Sequence, residues 1–207
     1  DFLQETFGNP RGIAGLAKGE KKSQLLAARY RILRSLGAGG TGRVLLAHDG
    51  FYDREVAVKV LTVGRGAQGR DAYVRFAKEA RVAAGLDHAN VVRVFEFNPD
   101  GPFLVMEYMP GGTLGDRIED AARPLPLAIV RHVTTSILRG LEAVHRRGVI
   151  HRDLKPANVF FGATGDVKIG DFGVAHLQDL GATLTGAMLG TLAYMAPEQI
   201  TGSERPK

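Results

Sequence analysis

The spacing of apolar residues changes part-way along the chain, and this change limits the folds that the chain can adopt. In the first half, apolar residues come in short runs separated by glycine, at residues 30–33, 44–47 and 56–60. Such runs predict β-strands joined by tight turns. After residues 111–112, residues 128–147 place apolar side chains at helical spacing on one stripe. A strand-rich part followed by a helix-rich part predicts an α+β chain with two lobes.

Shorter patterns complete this prediction. Small and apolar side chains at helical spacing over residues 71–85 predict a single helix within the first lobe. Gly148 is expected to end the long helix of the second lobe. Further strands are predicted at residues 91–97, 102–108, 159–161 and 167–169.

The domain boundaries follow from these patterns. Residues 1–28 mix glycine, proline and lysine without a sustained period, so we expect either a flexible lead-in or a helix packed against an unidentified partner, without chemistry. Residues 29–207 are predicted to form one domain. Its first lobe covers about residues 29–108, and a partial second lobe covers about residues 109–207.

Composition excludes several classes of protein. With 207 residues, of which 44% are hydrophobic, the chain has the composition of a soluble globular protein. Its apolar runs are shorter than the roughly 18 residues of a membrane span. The absence of cysteine excludes a disulfide framework and fits a cytoplasmic location. The net charge of +5 comes from scattered residues, which fits a nucleotide and an acidic protein partner better than nucleic acid. Dimerisation stays open.

The sequence HRDLKPAN at residues 151–158 brings a carboxylate, an ammonium and an amide close together. Phosphoryl transfer from a metal-bound nucleotide needs a group to accept a hydroxyl proton, one to neutralise phosphate charge and others to hold Mg²⁺. Asp153, Lys155 and Asn158 fit these requirements. The alternative is a surface turn with a chance run of polar residues.

The sequence GAGGTG at residues 37–42 has the G-x-G-x-x-G pattern, which is weak evidence alone because dinucleotide-binding folds share it. In those folds a helix begins at the third glycine, whereas residues 43–47 have the composition of a strand. This favours a hairpin over phosphates, with an ordinary glycine-rich turn as the alternative. Lys59, on the next strand, faces the same side as Ala57 and needs a counter-charge, for which Glu79 is the candidate.

A further motif, Asp171-Phe172-Gly173, follows the second hairpin, and Ala196-Pro197-Glu198 comes later. In their order, these motifs resemble the protein kinase family, specifically the Hanks-type bacterial serine/threonine kinases, over about residues 30–200. The resemblance implies a bilobal protein-kinase-like fold that transfers phosphate from ATP to serine or threonine hydroxyls of protein substrates.

The resemblance also implies roles for individual residues. Asp153 would be the catalytic base, Lys155 would neutralise the γ-phosphate, and Asn158 with Asp171 would hold Mg²⁺, with Mn²⁺ as a substitute. Lys59, paired with Glu79, would reach the α- and β-phosphates. The residues expected to contact ATP are Leu36, Gly37, Ala38, Gly39, Gly40, Thr41, Gly42, Arg43, Val44, Ala57, Lys59, Met106, Glu107, Met109 and Phe160. For the apolar members of this set, core packing is an equally good explanation.

Regulation is implied in the same way. Arg152 is similar to the arginine that binds a phosphorylated activation loop in many kinases, and phosphorylation of Thr183 or Thr185 is expected to order that loop. Thr191 resembles a threonine that contacts Asp153 and Lys155 in the substrate pocket. We expect activation by autophosphorylation.

Kinases of this family continue beyond the position of Lys207, so we expect a fragment of a longer kinase. The alternative function is a nucleotide-binding regulatory module or an inactive kinase fragment. A small-molecule phosphotransferase is disfavoured, because residues 190–198 resemble a platform for peptide substrates.

Overall fold

The computed structural model describes residues 25–39, 42–61, 77, 80, 84–99, 101, 103–121, 124–171 and 193–197. These residues form two compact units. The first contains the strands of the larger sheet, and the second contains residues 84–93 together with the described residues from Met109 onward.

The first unit is an antiparallel sheet of six strands. The strands are β1 (Leu25–Leu26), β2 (Tyr30–Gly39), β3 (Gly42–Asp49), β4 (Arg54–Leu61), β5 (Val94–Asn98) and β6 (Phe103–Glu107). Their order across the sheet is β1-β2-β3-β4-β6-β5. The strands predicted for the first lobe are thus present, although β5 begins three residues later than predicted.

Strand β1 comes from the segment that was predicted to be a flexible lead-in or a helix. It pairs with β2, and Leu26 is 8% exposed within the core of the sheet. Ala27 and Ala28 make the turn with positive φ angles of 50° and 56°, which alanine rarely adopts. A strand of two residues is too short to show a period, so the sequence pattern did not reveal it.

Alternation along the strands gives the sheet an apolar core face. The core residues come from all strands except β5: Leu26, Tyr30, Leu45, Ala47, Val56, Val58, Val60, Phe103 and Val105. The intervening residues of β3, β4 and β6 lie on the opposite face.

The second unit contains two helices and a short hairpin. Its elements are α1 (Leu114–Glu119), α2 (Leu127–His145), a 3₁₀ turn (Pro156–Asn158), β7 (Val159–Phe161) and β8 (Val167–Ile169). Both strands of the hairpin have the predicted bounds. Helix α2 ends at His145, and the predicted Gly148 closes the turn that follows, with a φ of 70° and an N–H that donates to the carbonyl of His145 at 2.8 Å.

Residues 84–93 belong to the second unit although they precede β5 in the chain. Val91 forms a parallel bridge with Ile169 of β8. The predicted strand over residues 91–97 was therefore wrong in its first part, because Val91 pairs with the small sheet and the larger sheet begins only at Val94. Nearby, Ala77, Ala80 and Ala84 are helical as predicted, although they belong to the second unit and not to the first.

Candidate active site

The loop after α2 brings three of the predicted catalytic side chains into contact. The amide nitrogen Nδ2 of Asn158 donates to the carbonyl oxygen of Asp153 at 2.7 Å and to its Oδ2 at 3.0 Å. The ammonium of Lys155 lies 3.0 Å from the same Oδ2. The side chain of Asp153 is 17% exposed, so this carboxylate is held firmly and still reaches solvent.

Asn158 is 5% exposed and ends the 3₁₀ turn, where its backbone N–H donates to the carbonyl of Lys155 at 2.9 Å. Because Nδ2 is the donor in both bonds to Asp153, Oδ1 is the atom with which Asn158 would bind a cation. The turn therefore gives the amide a fixed orientation relative to Asp153.

Asp171 is brought to the same place by the hairpin. Val159 pairs with Ile169, and the N–H of Gly170 donates to the carbonyl of Asn158 at 3.0 Å. Asp171 follows directly, with a φ of 66°, a strained value of the kind that clusters at functional sites. An amide oxygen and a carboxylate are the hard ligands that Mg²⁺ prefers.

Within the described part of the chain, no three His, Cys, Asp or Glu side chains are grouped closely enough to hold a metal ion. The predicted pair of Asn158 and Asp171 offers two protein ligands, and Mg²⁺ in phosphoryl-transfer sites usually takes its other ligands from phosphate oxygens and water.

His151 belongs to this cluster, although the sequence analysis gave it no role. It is 2% exposed, and burial lowers its pKa, while the negative charges of Asp153 and Asp171 act in the opposite direction. His151 is therefore a buried imidazole that lies close enough to both carboxylates to be affected by their charges. Its position two residues before Asp153 was the available signal.

In the first unit, strand pairing collects the predicted nucleotide contacts on the face opposite the core. Val44 of β3 pairs with Lys59 of β4, and Ala57 of β4 pairs with Met106 of β6. Lys59 is 4% exposed, and Ala57 is also buried. A buried ammonium beside apolar side chains is an arrangement that suits a nucleotide with its phosphates.

The glycine-rich segment is a hairpin. Gly39 of β2 pairs with Gly42 of β3, and Gly42 has a φ of 138°, which glycine alone adopts readily. Strand β3 begins at the third glycine, so the prediction of a strand instead of a helix is confirmed. None of the described atoms lies within 4 Å of a Cβ built on Gly37, so protein packing does not explain that glycine.

The other predicted residues differ in burial and position, and some lie outside the described part of the chain. Leu36 is half-buried on the hairpin, whereas Ala38 and Arg43 are exposed. Glu107 ends β6, while Met109 and Phe160 belong to the second unit, where Met109 is 8% exposed. Arg152 is half-buried with a φ of 63°. The predicted residues outside the described part of the chain are Gly40, Thr41, Glu79, Phe172, Gly173, Thr183, Thr185, Thr191 and Glu198.

Comparison with known families gives a match between residues 30–207 and the protein kinase domain. The chain belongs to the protein kinase family. Over 182 residues the kinase is 41% identical to the serine/threonine-protein kinase PknL of Mycobacterium tuberculosis, and the match covers 86% of this chain and 45% of the relative. The serine/threonine-protein kinase PrkC of Bacillus subtilis is 36% identical over 180 residues, covering 86% of this chain and 28% of the relative.

A probable serine/threonine-protein kinase of Streptomyces coelicolor is 40% identical over 190 residues, covering 86% of this chain and 28% of the relative. The kinase thus spans less than half the length of these curated relatives. The predicted family and the α+β kinase fold are confirmed, and protein kinases use ATP with a divalent metal ion. None of the helices in the described ranges is long and apolar enough to cross a membrane.

Proposed function

We propose that the kinase transfers the γ-phosphate of ATP to serine and threonine hydroxyls of proteins. The observation that carries this proposal is the convergence of Lys155 and Asn158 on one oxygen of Asp153. A carboxylate fixed in this way through Oδ2 can direct its other oxygen toward a substrate hydroxyl.

The chemistry assigns one task to each group. Asp153 accepts the proton of the hydroxyl, whose oxygen forms a bond to the γ-phosphorus. The bond between that phosphorus and the bridging oxygen breaks, and ADP leaves with the electron pair. Lys155, 3.0 Å from Asp153, neutralises charge on the transferred phosphoryl group.

Nucleotide and metal binding follow from the two units taken separately. Asn158 Oδ1 and Asp171 would hold Mg²⁺, or Mn²⁺ as a substitute, which neutralises phosphate charge when bound. Lys59 would bind the α- and β-phosphates, with Glu79 as its counter-charge. In the first unit, Val44, Ala57 and Met106 would contact adenine and the backbone of Glu107 would hydrogen-bond it. The adenine contacts predicted in the second unit are Phe160 and the backbone of Met109. The remaining phosphate-covering positions are those of the glycine hairpin, from Leu36 to Arg43.

Serine/threonine specificity is supported by the lysine two residues after Asp153 and by the names of the relatives. A cytoplasmic location and protein partners instead of nucleic acid, both predicted from the sequence, belong to this proposal. The sequence makes no prediction about dimerisation.

Activation by autophosphorylation on Thr183 or Thr185 belongs to the same proposal, with Arg152 as the phosphate-binding residue. The Thr183→Ala, Thr185→Ala double variant should lose most of the activity that pre-incubation with ATP produces in the parent kinase. Mass spectrometry of the phosphorylated peptides checks the sites, and full activity of the double variant would contradict the idea.

The alternative function is a nucleotide-binding regulatory module without turnover. Such modules often lose catalytic residues, whereas Lys59, Asp153, Asn158 and Asp171 are all present. The described geometry of the last three supports the kinase more than the module.

The deciding experiment measures incorporation of radiolabelled phosphate from ATP into a generic protein substrate. Asp153→Asn should lower the rate by about 10²–10⁴-fold, because it removes the proton acceptor and leaves the shape unchanged. Asp87→Asn is the matched control, since that carboxylate is in the same unit, 76% exposed, and bound only loosely to Arg93 at 3.5 Å. Equal rates for the parent kinase and Asp153→Asn would contradict the proposed function.

A further inference from the structure

Strand β8, which leads into Asp171, is held by a second neighbour besides β7. The N–H of Ile169 donates to the carbonyl of Asn90 at 3.0 Å, and the N–H of Val92 donates to the carbonyl of Ile169 at 2.9 Å. Both backbone groups of Ile169 are thus bound by residues 90–92, two positions before Asp171. Residues 90–92 thus run parallel to β8 along the edge of the two-stranded sheet, joined to it by one isolated bridge.

The side chain of Asn90 strengthens this attachment. Its Nδ2 donates to the carbonyl of Val167 at 2.9 Å, and its backbone N–H donates to Nδ1 of His88 at 3.1 Å. Asn90 therefore contacts β8 through its carbonyl at one residue and through its side chain at another. Two contacts of this kind fix both the distance and the register of the segment against β8.

Helix α2 packs against the same two residues, Asn90 and Ile169, at Gly140. A Cβ on Gly140 would lie 2.6 Å from the carbonyl oxygen of Asn90 and 2.9 Å from Cγ1 of Ile169. Real Cβ atoms essentially never approach other atoms so closely. Glycine at this position allows α2 to pack directly against the bond between Asn90 and Ile169. A methyl group here would have to displace one of them.

Gly170 transmits this constraint to Asp171. A Cβ on Gly170 would lie 2.9 Å from Cγ2 of Val92, and its N–H is bound to the carbonyl of Asn158. Gly170 is therefore confined between Val92 and the backbone of Asn158, the other predicted metal ligand.

We propose that Asn90 and Gly140 are positioning residues for the metal site, because they fix the backbone that leads through Gly170 into Asp171. This inference rests on the proposed function, in which Asp171 is a metal ligand. Partners that orient metal ligands typically change metal affinity by about 10–100-fold when they are mutated.

The test measures binding of Mn²⁺ by electron paramagnetic resonance, on the full chain with a non-hydrolysable ATP analogue. Asn90→Ala keeps the backbone bonds of residue 90 and removes the bond to Val167. Gly140→Ala adds the methyl group that would displace Asn90 or Ile169. Both variants should bind Mn²⁺ about 10-fold or more weakly than the parent kinase. Thr135→Ala, at an exposed position of α2, should bind it equally.

Urea unfolding of the same variants without metal separates positioning from stability. Alanine favours a helix over glycine, so Gly140→Ala would keep its metal affinity if residue 140 affected only the helix. Unchanged Mn²⁺ affinity in folded Asn90→Ala and Gly140→Ala would overturn the inference. Loss of the folded state in both would also overturn it, because residues 90–92 would then support the whole unit. If the parent kinase bound no Mn²⁺, or if its Mn²⁺ binding did not depend on Asp171, the proposed function would be contradicted instead.

Discussion

Two groups of charged and polar side chains, one in each unit, hold their carboxylates in different ways. In the first unit, Arg29 donates to both oxygens of Asp49, at 2.7 Å and 2.8 Å, and to Glu96 at 2.9 Å. Tyr30 also donates to Glu96, at 2.7 Å. In the second unit, Lys155 and Asn158 meet Asp153. We call the first group the arginine cluster and the second the catalytic cluster.

The two carboxylates differ in how many of their oxygens are bound. Asp49 is fully buried, its Oδ1 also accepts the N–H of Phe51 at 3.1 Å, and Arg29 binds both of its oxygens. The hydrogen bond from Arg29 therefore lowers the pKa of Asp49. The side-chain bonds to Asp153 converge on Oδ2, and that side chain reaches solvent.

Aromatic rings increase this difference. The guanidinium of Arg29 lies 4.8 Å from the centroid of the Tyr30 ring and 5.3 Å from that of Tyr52. Arg54 lies 3.6 Å above the ring of Phe95. Such contacts stabilise a cation in place. A buried carboxylate with both oxygens bound stabilises the fold, whereas a carboxylate held through one oxygen is free to react through the other.

The largest effect that separates the clusters is expected from Asp49→Asn. It removes the charge that balances the guanidinium of Arg29, so we expect a loss of about 2–4 kcal/mol in the free energy of unfolding. Phosphate transfer per folded molecule should stay unchanged, which is the reverse of the result expected for Asp153→Asn. Urea unfolding and the phosphate-transfer assay measure the two quantities.

Glu55→Gln is the matched control, because Glu55 is an exposed carboxylate on the neighbouring strand. It should change stability by less than about 0.5 kcal/mol. If Asp49→Asn were as stable as this control, or if it lowered transfer by folded protein, the division of roles between the clusters would be wrong.

The catalytic cluster was predictable from the sequence because its contacts are local. Asp153, Lys155 and Asn158 lie within one loop and a single turn, so their spacing nearly determines their geometry. The strands of the first unit were predictable for a similar reason, since each shows its own alternation. The glycine hairpin followed from the residues after its third glycine.

The arginine cluster could not be predicted in this way. Arg29 lies 20 residues from Asp49 and 67 residues from Glu96, so no local pattern joins them. The bridge between Val91 and Ile169 was missed for the same reason. Such contacts depend on which strands become neighbours, and that depends on the packing of the whole unit.

The pH dependence of stability gives a smaller and more specific test of the arginine cluster. The pKa of Asp49 lies below its ordinary value of 3.8, mainly because Arg29 donates to it. Below that value the unfolded chain therefore binds a proton at this residue before the folded chain does. The contribution of Asp49 is fully present above the unfolded pKa and is lost as the pH falls toward the folded pKa.

We therefore expect the free energy of unfolding of the parent kinase to fall more steeply than that of Asp49→Asn, between about pH 5 and pH 2. Other carboxylates titrate in the same range, but their contributions cancel in the difference between the two curves. Urea unfolding at a series of pH values measures both curves. Parallel curves for Asp49→Asn and the parent kinase would mean that Asp49 titrates alike in the folded and unfolded chains. The bonds from Arg29 would then contribute nothing specific to the carboxylate, and the contrast with Asp153 would have to rest on exposure alone.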